Sequence, residues 1–335
     1  MNEPTSFREL PKIELHCHLD ACVRIETVRE IGRELGLALP QRLEHALVAP
    51  EVCDSLLDYI RRIELALEVM QRAPDLTRIA GELVEDLARD GVIYAEVRFA
   101  PQLHTRRGLS LQAVVDAAHA GLVQASQRHG VATGLILCAL RQQPARVAED
   151  VARLAVDNRD KVCALDLAAD EANYPHAAPY VEAFRIARDA GLHVTAHAGE
   201  NAGAWSMREA LDLLGAERIG HGVRIEEDPA LVDRVAEQGV ALDMCPRSNV
   251  QTRAVSSLAA HPIDRLLRRG LRVTVSTDGR TTSDTTLAAE FDRLRDQFGW
   301  GLAEFASCQR NAALAAFAPE TTRQVLLARL SVPVR

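Results

Sequence analysis

Short runs of apolar and β-branched residues alternate along the chain with longer segments in which apolar residues recur at helical spacing. Eight of these runs have the length of buried strands: residues 12–16, 93–99, 134–139, 162–167, 193–197, 218–221, 241–244 and 272–276. Segments between them, such as 111–129, 145–157 and 229–238, repeat apolar residues at positions i, i+3, i+4 and i+7. This alternation predicts an α/β fold, a closed (β/α)8 TIM-type barrel of parallel strands. The alternative, an open doubly wound sheet, usually has a glycine-rich turn after its first strand, where this chain has His18-Leu19-Asp20-Ala21.

The connection between the first two predicted strands is much longer than the others. Residues 24–90 read as several helices (24–35, 54–71 and 76–90), and we expect this insertion to cover the barrel mouth. It acts there either as a lid or as a packing subdomain. No repeat or low-complexity stretch interrupts the sequence, so residues 1–335 are predicted to form a single domain.

Composition and charge exclude several classes of partner. The chain has 47 Asp and Glu against 39 Lys and Arg, a formal net charge of −8, which argues against binding to nucleic acid or to an anionic membrane. It contains no apolar run long enough to predict a transmembrane helix. The seven cysteines form no CxxC pair, which favours a reduced, cytoplasmic protein over a disulfide framework. The sequence gives no oligomeric state.

Side chains that bind metals stand where several predicted strands end. His16 and His18 alternate along the first strand and therefore face the same side. The ends of the fifth, sixth and eighth strands add His197, His221 and Asp278. Active sites of such barrels lie at this rim, and imidazole with carboxylate suits a divalent metal such as zinc. The histidines within or beside helical segments are instead expected to be surface or packing residues: His45, His119, His129 and His261.

A hydrolytic mechanism follows if His16, His18, His197 and Asp278 hold the ion. His221 is then free to take a proton from a metal-activated water, and Glu200 would need a raised pKa to act as an acid. Two-metal sites in such barrels often use a lysine at the end of strand four. Here Lys161 stands at the start of that strand, which favours one metal ion.

A series of motifs resembles the adenosine deaminase family. In order along the chain they are HCHLD (16–20), YAEVRFAPQLH (94–104), DLAADE (166–171), HAGE (197–200), RIGHG (218–222), CPRSN (245–249), STD (276–278) and NAA (311–313). The resemblance covers nearly the whole chain and implies a metal-dependent barrel of the amidohydrolase superfamily. It also implies hydrolytic removal of the 6-amino group of adenosine or 2′-deoxyadenosine as ammonia, with one Zn²⁺ per chain. The alternatives are adenine, a 5′-modified adenosine of the aminofutalosine type, or another 6-aminopurine derivative.

The same resemblance assigns roles to individual positions. His16, His18, His197 and Asp278 match the zinc ligands, Glu200 the proton donor to purine N1, and His221 the residue that orients or deprotonates the water. Asp20 matches the position that binds the ribose hydroxyls, whereas relatives acting on free adenine resemble HisIleGlu there. The alternative interpretation of Asp20 is a cap for the helix that begins near residue 24. His18 and Ala169 also belong to the expected substrate contacts. Ala169 replaces a glycine whose N–H meets purine N3, which is a mild departure if the φ of Ala169 is negative.

Departures from the family pattern leave the substrate open. Gly279 stands where the family usually has a second Asp that binds purine N7, and Ala21 where it usually has Gly. Arg247 and Arg280 add positive charge near the ends of strands seven and eight. They either pair with acids such as Asp243, Asp284 or Glu226, or bind an anionic group of the substrate. A non-catalytic binding protein is disfavoured because every metal and catalytic position is filled.

Overall fold

The chain folds into an eight-stranded parallel barrel, seen in a computed structural model that describes residues 6–331. Neighbouring strands pair in chain order, β1 to β8. They are β1 (Lys12–His18), β2 (Val92–Phe99), β3 (Ala132–Leu140), β4 (Val162–Ala168), β5 (His193–Ala198), β6 (Arg218–His221), β7 (Ala241–Met244) and β8 (Arg272–Val275). The segment after β8 returns to β1, since Asp278 N donates to His16 O (2.9 Å) and His18 N donates to Asp278 O (2.7 Å). The predicted TIM-type barrel is confirmed.

Helices surround the strands and fill the first connection. They are α1 (Ile25–Glu34), α2 (Leu43–Leu47), α3 (Leu56–Arg61), α4 (Glu64–Val69), α5 (Ala73–Arg89), α6 (Leu111–His129), α7 (Ala145–Asp157), α8 (Val181–Asp189), α9 (Ala204–Glu209), α10 (Pro229–Gln238), α11 (Pro246–Gln251), α12 (Ile263–Arg268), α13 (Leu287–Phe298), α14 (Leu302–Ala315) and α15 (Glu320–Leu330). Local chemistry sets their ends. Asp228 accepts a hydrogen bond from Leu231 N where α10 begins, and Gly239 adopts a φ of 64° where it ends.

The insertion between β1 and β2 differs from the prediction in one place. Residues 54–71 were expected to form one helix, which is wrong: α3 and α4 are separated at Arg62 and Ile63. Both residues keep helical dihedral angles, but their N–H groups bond the carbonyls of Tyr59 and Ile60, an i to i+3 pattern that tightens the turn. Side chains of α3 reach the cavity at the barrel mouth. A lid motion of this segment stays a prediction.

The structure bears on the expectations about cysteines and membrane-spanning helices, but not on those about location and domain boundaries. All seven cysteines are free, and among residues 6–331 no helix has the length and apolar composition needed to span a bilayer. The cytoplasmic location stays a prediction. So does the single domain over residues 1–335, whose two ends lie outside the described residues.

A charged network fills the barrel beneath its C-terminal rim. Arg218 pairs with Glu96 (2.5 Å) and Asp243 (2.6 Å), and Arg98 pairs with Asp166 (2.7 Å). All five side chains are fully or almost fully buried. Buried ions that are paired and hydrogen-bonded in this way hold their geometry tightly, because separating any pair would leave an uncompensated charge. The network is therefore a fixed support for the side chains at the C-terminal rim.

Candidate functional site

Three imidazoles and a carboxylate meet at the C-terminal ends of β1, β5 and β8. His16, His18, His197 and Asp278 each offer a ligand atom, and these four atoms lie within 4.8 Å of one another. The Nε2 atom of His18 is 3.3 Å from that of His16 and 3.0 Å from that of His197. Asp278 Oδ1 lies 3.4 Å from His16 Nε2 and 3.5 Å from His18 Nε2. The structure therefore brings together the four residues predicted to bind a metal.

The spacing and protonation of this cluster fit a divalent ion. Tetrahedral coordination with zinc–nitrogen bonds of about 2.0–2.1 Å separates neighbouring ligand atoms by about 3.3–3.4 Å, close to the distances found here. Burial lowers the pKa of His18 to about 3 and the pKa of His16 well below its usual value, so both rings are neutral. Neutral rings offer lone pairs, which a cation between them would satisfy.

Hydrogen bonds behind the cluster orient its members. The Nδ1 atom of His197 lies 3.2 Å from Asp166 Oδ1, which leaves Nε2 of the same ring facing the other ligands. Burial favours the neutral acid, but His197 and Arg98 hold the pKa of Asp166 well below its usual range. On the opposite side Ser248 Oγ donates to Asp278 Oδ2 (2.6 Å), leaving Oδ1 for the cluster. Such supporting contacts are typical of metal ligands.

Three residues around the site have left-handed backbone conformations. His221 has a φ of 64°, Asp278 a φ of 62° and Ala169 a φ of 78°. The last value corrects an expectation, because Ala169 was treated as a mild replacement for glycine on condition that its φ was negative. A Cβ in this region is strained, and such strain concentrates at functional sites. Ala169 therefore retains the conformation of a glycine despite its side chain.

Glu200 lies next to the cluster in an enclosed position. Its Oε1 atom accepts a hydrogen bond from Thr252 Oγ1 (3.0 Å), and its Oε2 atom is 3.7 Å from His221 Nε2. Burial, assisted by the charge of Asp278, raises the pKa of Glu200 to about 8. The carboxyl is therefore largely protonated at pH 7, as a proton donor requires.

Glu171 fixes the backbone that carries Glu200. Its two carboxylate oxygens accept hydrogen bonds from Ser206 Oγ (2.7 Å) and from four consecutive backbone N–H groups, those of residues 199, 200, 201 and 202, at 2.7–3.1 Å. The side chain is fully buried. Glu171 was part of the DLAADE motif, but no role was predicted for it.

A hydrogen-bonded chain defines the proton position on His221. Ile263 N–H donates to Nδ1 of His261 (3.1 Å), so the proton of this ring sits on Nε2, 3.1 Å from Asn249 Oδ1. The Asn249 amide nitrogen then faces His221 Nδ1 at 3.0 Å. Burial lowers the pKa of His221 and of His261, the latter to about 3. The neutral ring of His221 therefore accepts at Nδ1 and carries its proton on Nε2, beside Glu200. His261, expected to be a surface or packing residue, is fully buried and supports this arrangement.

A cavity opens from the cluster between the strand ends and α3. It is lined by three of the four cluster residues (His18, His197 and Asp278), by Glu200 and His221, and by Asp20, Ala21, Ala169 and Tyr59 among others. Asp20 is 5% exposed, and its Oδ1 atom has no hydrogen-bond partner among the described residues. Burial raises the pKa of Asp20 to about 6. An enclosed carboxylate oxygen without a partner suits a ligand hydroxyl.

Arg247 and Arg280 pair with acids other than the three that the sequence analysis named as examples. Arg247 bonds Glu51 Oε1 (3.1 Å) and the carbonyl of Ser283, and not Asp243, Asp284 or Glu226. Arg280 bonds Asp90 (3.0 Å). Both arginines therefore pair with acids, the first of the two expected alternatives, but their partners lie in the insertion or at its end and are not the three acids named as examples. Neither arginine lines the cavity, which leaves no support for binding of an anionic group there.

Comparisons with known proteins agree on one family. The sequence model of the family described as Adenosine deaminase matches residues 11–332. An adenosine deaminase of Clostridium acetobutylicum is 37% identical over 334 residues, covering 98% of this chain and 100% of that protein. An adenine deaminase structure from Arthrobacter aurescens superposes with a TM-score of 0.90 at 29% identity, covering 96% of this chain and 98% of the other. An amidohydrolase structure from Burkholderia ambifaria with bound Zn gives 0.89 at 26% identity, covering 97% and 90%.

Proposed function

Because the chain belongs to the adenosine deaminase family, we propose that it converts adenosine and 2′-deoxyadenosine, with water, to inosine and 2′-deoxyinosine plus ammonia. The observation that carries this proposal is the position of Glu200, a carboxyl with its pKa raised to about 8, next to a cluster of three histidines and an aspartate. A protonated carboxyl beside a metal site suits hydrolysis of a ring that must be protonated before water can add.

One zinc ion per chain is part of the proposal. His16, His18, His197 and Asp278 would hold it, and the 3.0–3.5 Å separations of their ligand atoms support this assignment. When bound, zinc supplies a Lewis acid that lowers the pKa of a coordinated water towards about 7. Lys161 lies outside the site, 2.7 Å from Asp116, so it offers no bridge to a second ion.

Glu200 and His221 have different roles: Glu200 donates a proton to the substrate, and His221 orients the water. Glu200 donates its proton to purine N1, which makes C6 electron-poor enough to accept the oxygen of water. The Nε2–H of His221 donates to that oxygen and orients it, because Asn249 already occupies Nδ1 of the ring. Of the two protons of the attacking water, one passes to the 6-amino group, which leaves as ammonia, and the other restores the protonated form of Glu200 as C6 becomes a carbonyl. Of the two roles expected for His221, the hydrogen-bond chain favours orientation over proton abstraction.

Asp20 supports a nucleoside as the substrate. Its Oδ1 atom, which has no hydrogen-bond partner within residues 6–331, would accept a hydrogen bond from a sugar hydroxyl, and a carboxylate there would repel a 5′-phosphate. The backbone of Ala169 would contact purine N3. Free adenine is the second candidate, favoured by the structural similarity to an adenine deaminase, but it would leave Asp20 without a partner.

The proposal is tested with zinc-loaded protein and a panel of amines. Adenosine, 2′-deoxyadenosine, adenine, AMP and a 5′-modified adenosine are assayed by ultraviolet absorbance and by ammonia release. We expect the two nucleosides to be deaminated with the highest kcat/KM, and Asp20→Asn to reduce their kcat/KM more than that of adenine. Ammonia release from adenine or from the 5′-modified compound with a far higher kcat/KM than from adenosine would overturn the substrate assignment.

A further inference from the structure

One polar group of the cavity has no part in the mechanism described above. The side chain of Tyr59, on α3, lines the cavity and is 5% exposed. Its Oη atom lies 2.7 Å from Ser283 Oγ, which is itself fully buried. Ser248 is a second hydroxyl near Tyr59 Oη. A tyrosine hydroxyl has one proton and two acceptor positions, so the contact with Ser283 does not by itself use its full hydrogen-bonding capacity.

Tyr59 Oη lies beside Gly279, the position where an acidic side chain is missing. A Cβ at Gly279 would be 3.2 Å from Tyr59 Oη and 2.6 Å from the Cβ of Ala21. Gly279 has no positive φ, so its backbone does not require glycine. What excludes a side chain there is the space taken by Ala21 and Tyr59. The two departures from the family pattern, Ala21 and Gly279, are therefore sterically complementary.

The proposed binding mode determines which substrate atom this region faces. In a purine, N1 and N7 lie on opposite sides of the C6 amino group. With C6 at the cluster and N1 at Glu200, on the β5 side, N7 points towards the segment after β8. That segment carries Asp278 and Gly279, next to Tyr59. N7 has a lone pair and needs a hydrogen-bond donor.

We propose that the Tyr59 hydroxyl donates a hydrogen bond to N7 of the purine, and that Tyr59 is a specificity-determining residue of this site. The 2.7 Å contact allows either hydroxyl to donate, and in the proposed arrangement Ser283 Oγ–H donates to Tyr59 Oη, which leaves the phenolic proton for the ligand. Burial raises the pKa of Tyr59 well above its usual value, so the hydroxyl keeps its proton throughout the working range. A neutral phenol replaces an acidic side chain as the donor. This inference rests on the proposed function.

The test compares two ligands that differ only at N7. Dissociation constants of inosine and 7-deazainosine are measured by calorimetry for zinc-loaded wild type and Tyr59→Phe. In the wild type we expect inosine to bind roughly tenfold more tightly, the value of one good neutral hydrogen bond. In Tyr59→Phe we expect this ratio to fall close to one, because only inosine loses affinity. Tyr174→Phe, in which the altered tyrosine is 48% exposed and outside the cavity lining, is the matched control and should keep the wild-type ratio.

Each other outcome has a defined meaning. If Tyr59→Phe weakens both ligands equally, or neither, the hydroxyl does not contact N7 and the inference is overturned. If Tyr59→Phe fails to fold, Ser283→Ala is used instead, because it removes the hydroxyl that directs Tyr59 Oη. Ser283→Ala should reduce the ratio of the dissociation constants of the two ligands. An unchanged ratio overturns the inference. Adenosine deamination by the wild type is measured in parallel. Its absence would overturn the proposed function and this inference together, whereas deamination with an unchanged ratio would overturn this inference alone.

Discussion

Replacing Glu171 by glutamine should damage both the stability and the pH profile of the enzyme. The carboxylate accepts five hydrogen bonds, two at Oε1 and three at Oε2, and four of the donors are backbone N–H groups that cannot rotate away. A glutamine amide keeps one acceptor oxygen and turns an NH2 group towards the other donors. At least two bonds to a charged acceptor are lost. At about 1.5–3 kcal/mol each, the free energy of unfolding should fall by about 3–6 kcal/mol.

The effect on Glu200 distinguishes this role from simple packing. The negative charge of Glu171 is one of the causes, after burial and Asp278, that raise the pKa of Glu200. Removing it should lower that pKa, so the fraction of protonated Glu200 declines at a lower pH. We expect kcat of Glu171→Gln to be reduced at pH 7 and its alkaline limb to shift to lower pH.

The assay combines urea unfolding with kcat measured from pH 6 to pH 9. Glu182→Gln is the matched control, since Glu182 is an exposed helix residue whose ion-pair partner in the described part of the chain is Arg185. It should leave both measurements near those of the wild type. A Glu171→Gln protein with wild-type stability and an unshifted pH profile would refute the reasoning.

Three further perturbations have defined outcomes. In the wild type, kcat should decline as pH rises through about 8, the pKa of Glu200. Thr252→Val should move this decline to higher pH, because the hydrogen bond that it removes stabilises the charged form of Glu200. A flat profile up to pH 9 would contradict the role of Glu200 as acid. Removing metal with a chelator should abolish deamination and lower the melting temperature, and added zinc should restore both; activity that survives in metal-free protein would contradict the assignment. Gly279→Ala should cost about 1–3 kcal/mol of stability, measured by urea unfolding, because its Cβ would lie 2.6 Å from that of Ala21. The double variant with Ala21→Gly should recover most of that loss, and no recovery would contradict the steric pairing of the two positions.

The periodicity of the sequence was sufficient to predict the barrel and the location of its site. Strand ends carrying His16, His197 and Asp278 stand out because functional groups in such barrels collect at one rim. The separation of α3 from α4 could not be predicted, since Arg62 and Ile63 are ordinary helix residues and only the hydrogen-bond pattern changes.

Contacts between distant segments were also invisible in the sequence. Arg247 pairs with Glu51 and Tyr59 with Ser283 across more than 190 positions, and no local pattern links such residues. The conformation of Ala169 was missed for a related reason. Its side chain predicts a negative φ, but the surrounding structure imposes a value of 78°. Tertiary constraint outweighs local preference at such positions.

The most direct test of the central claim compares wild type and Glu200→Gln for zinc content and for ammonia release from adenosine. Glu200 is not among the four proposed ligands, so both proteins should contain one zinc ion per chain. We predict that only the wild type releases ammonia at an appreciable rate, because glutamine cannot donate a proton to N1. Comparable turnover by Glu200→Gln, or a wild type that binds zinc but does not deaminate adenosine, would contradict the account.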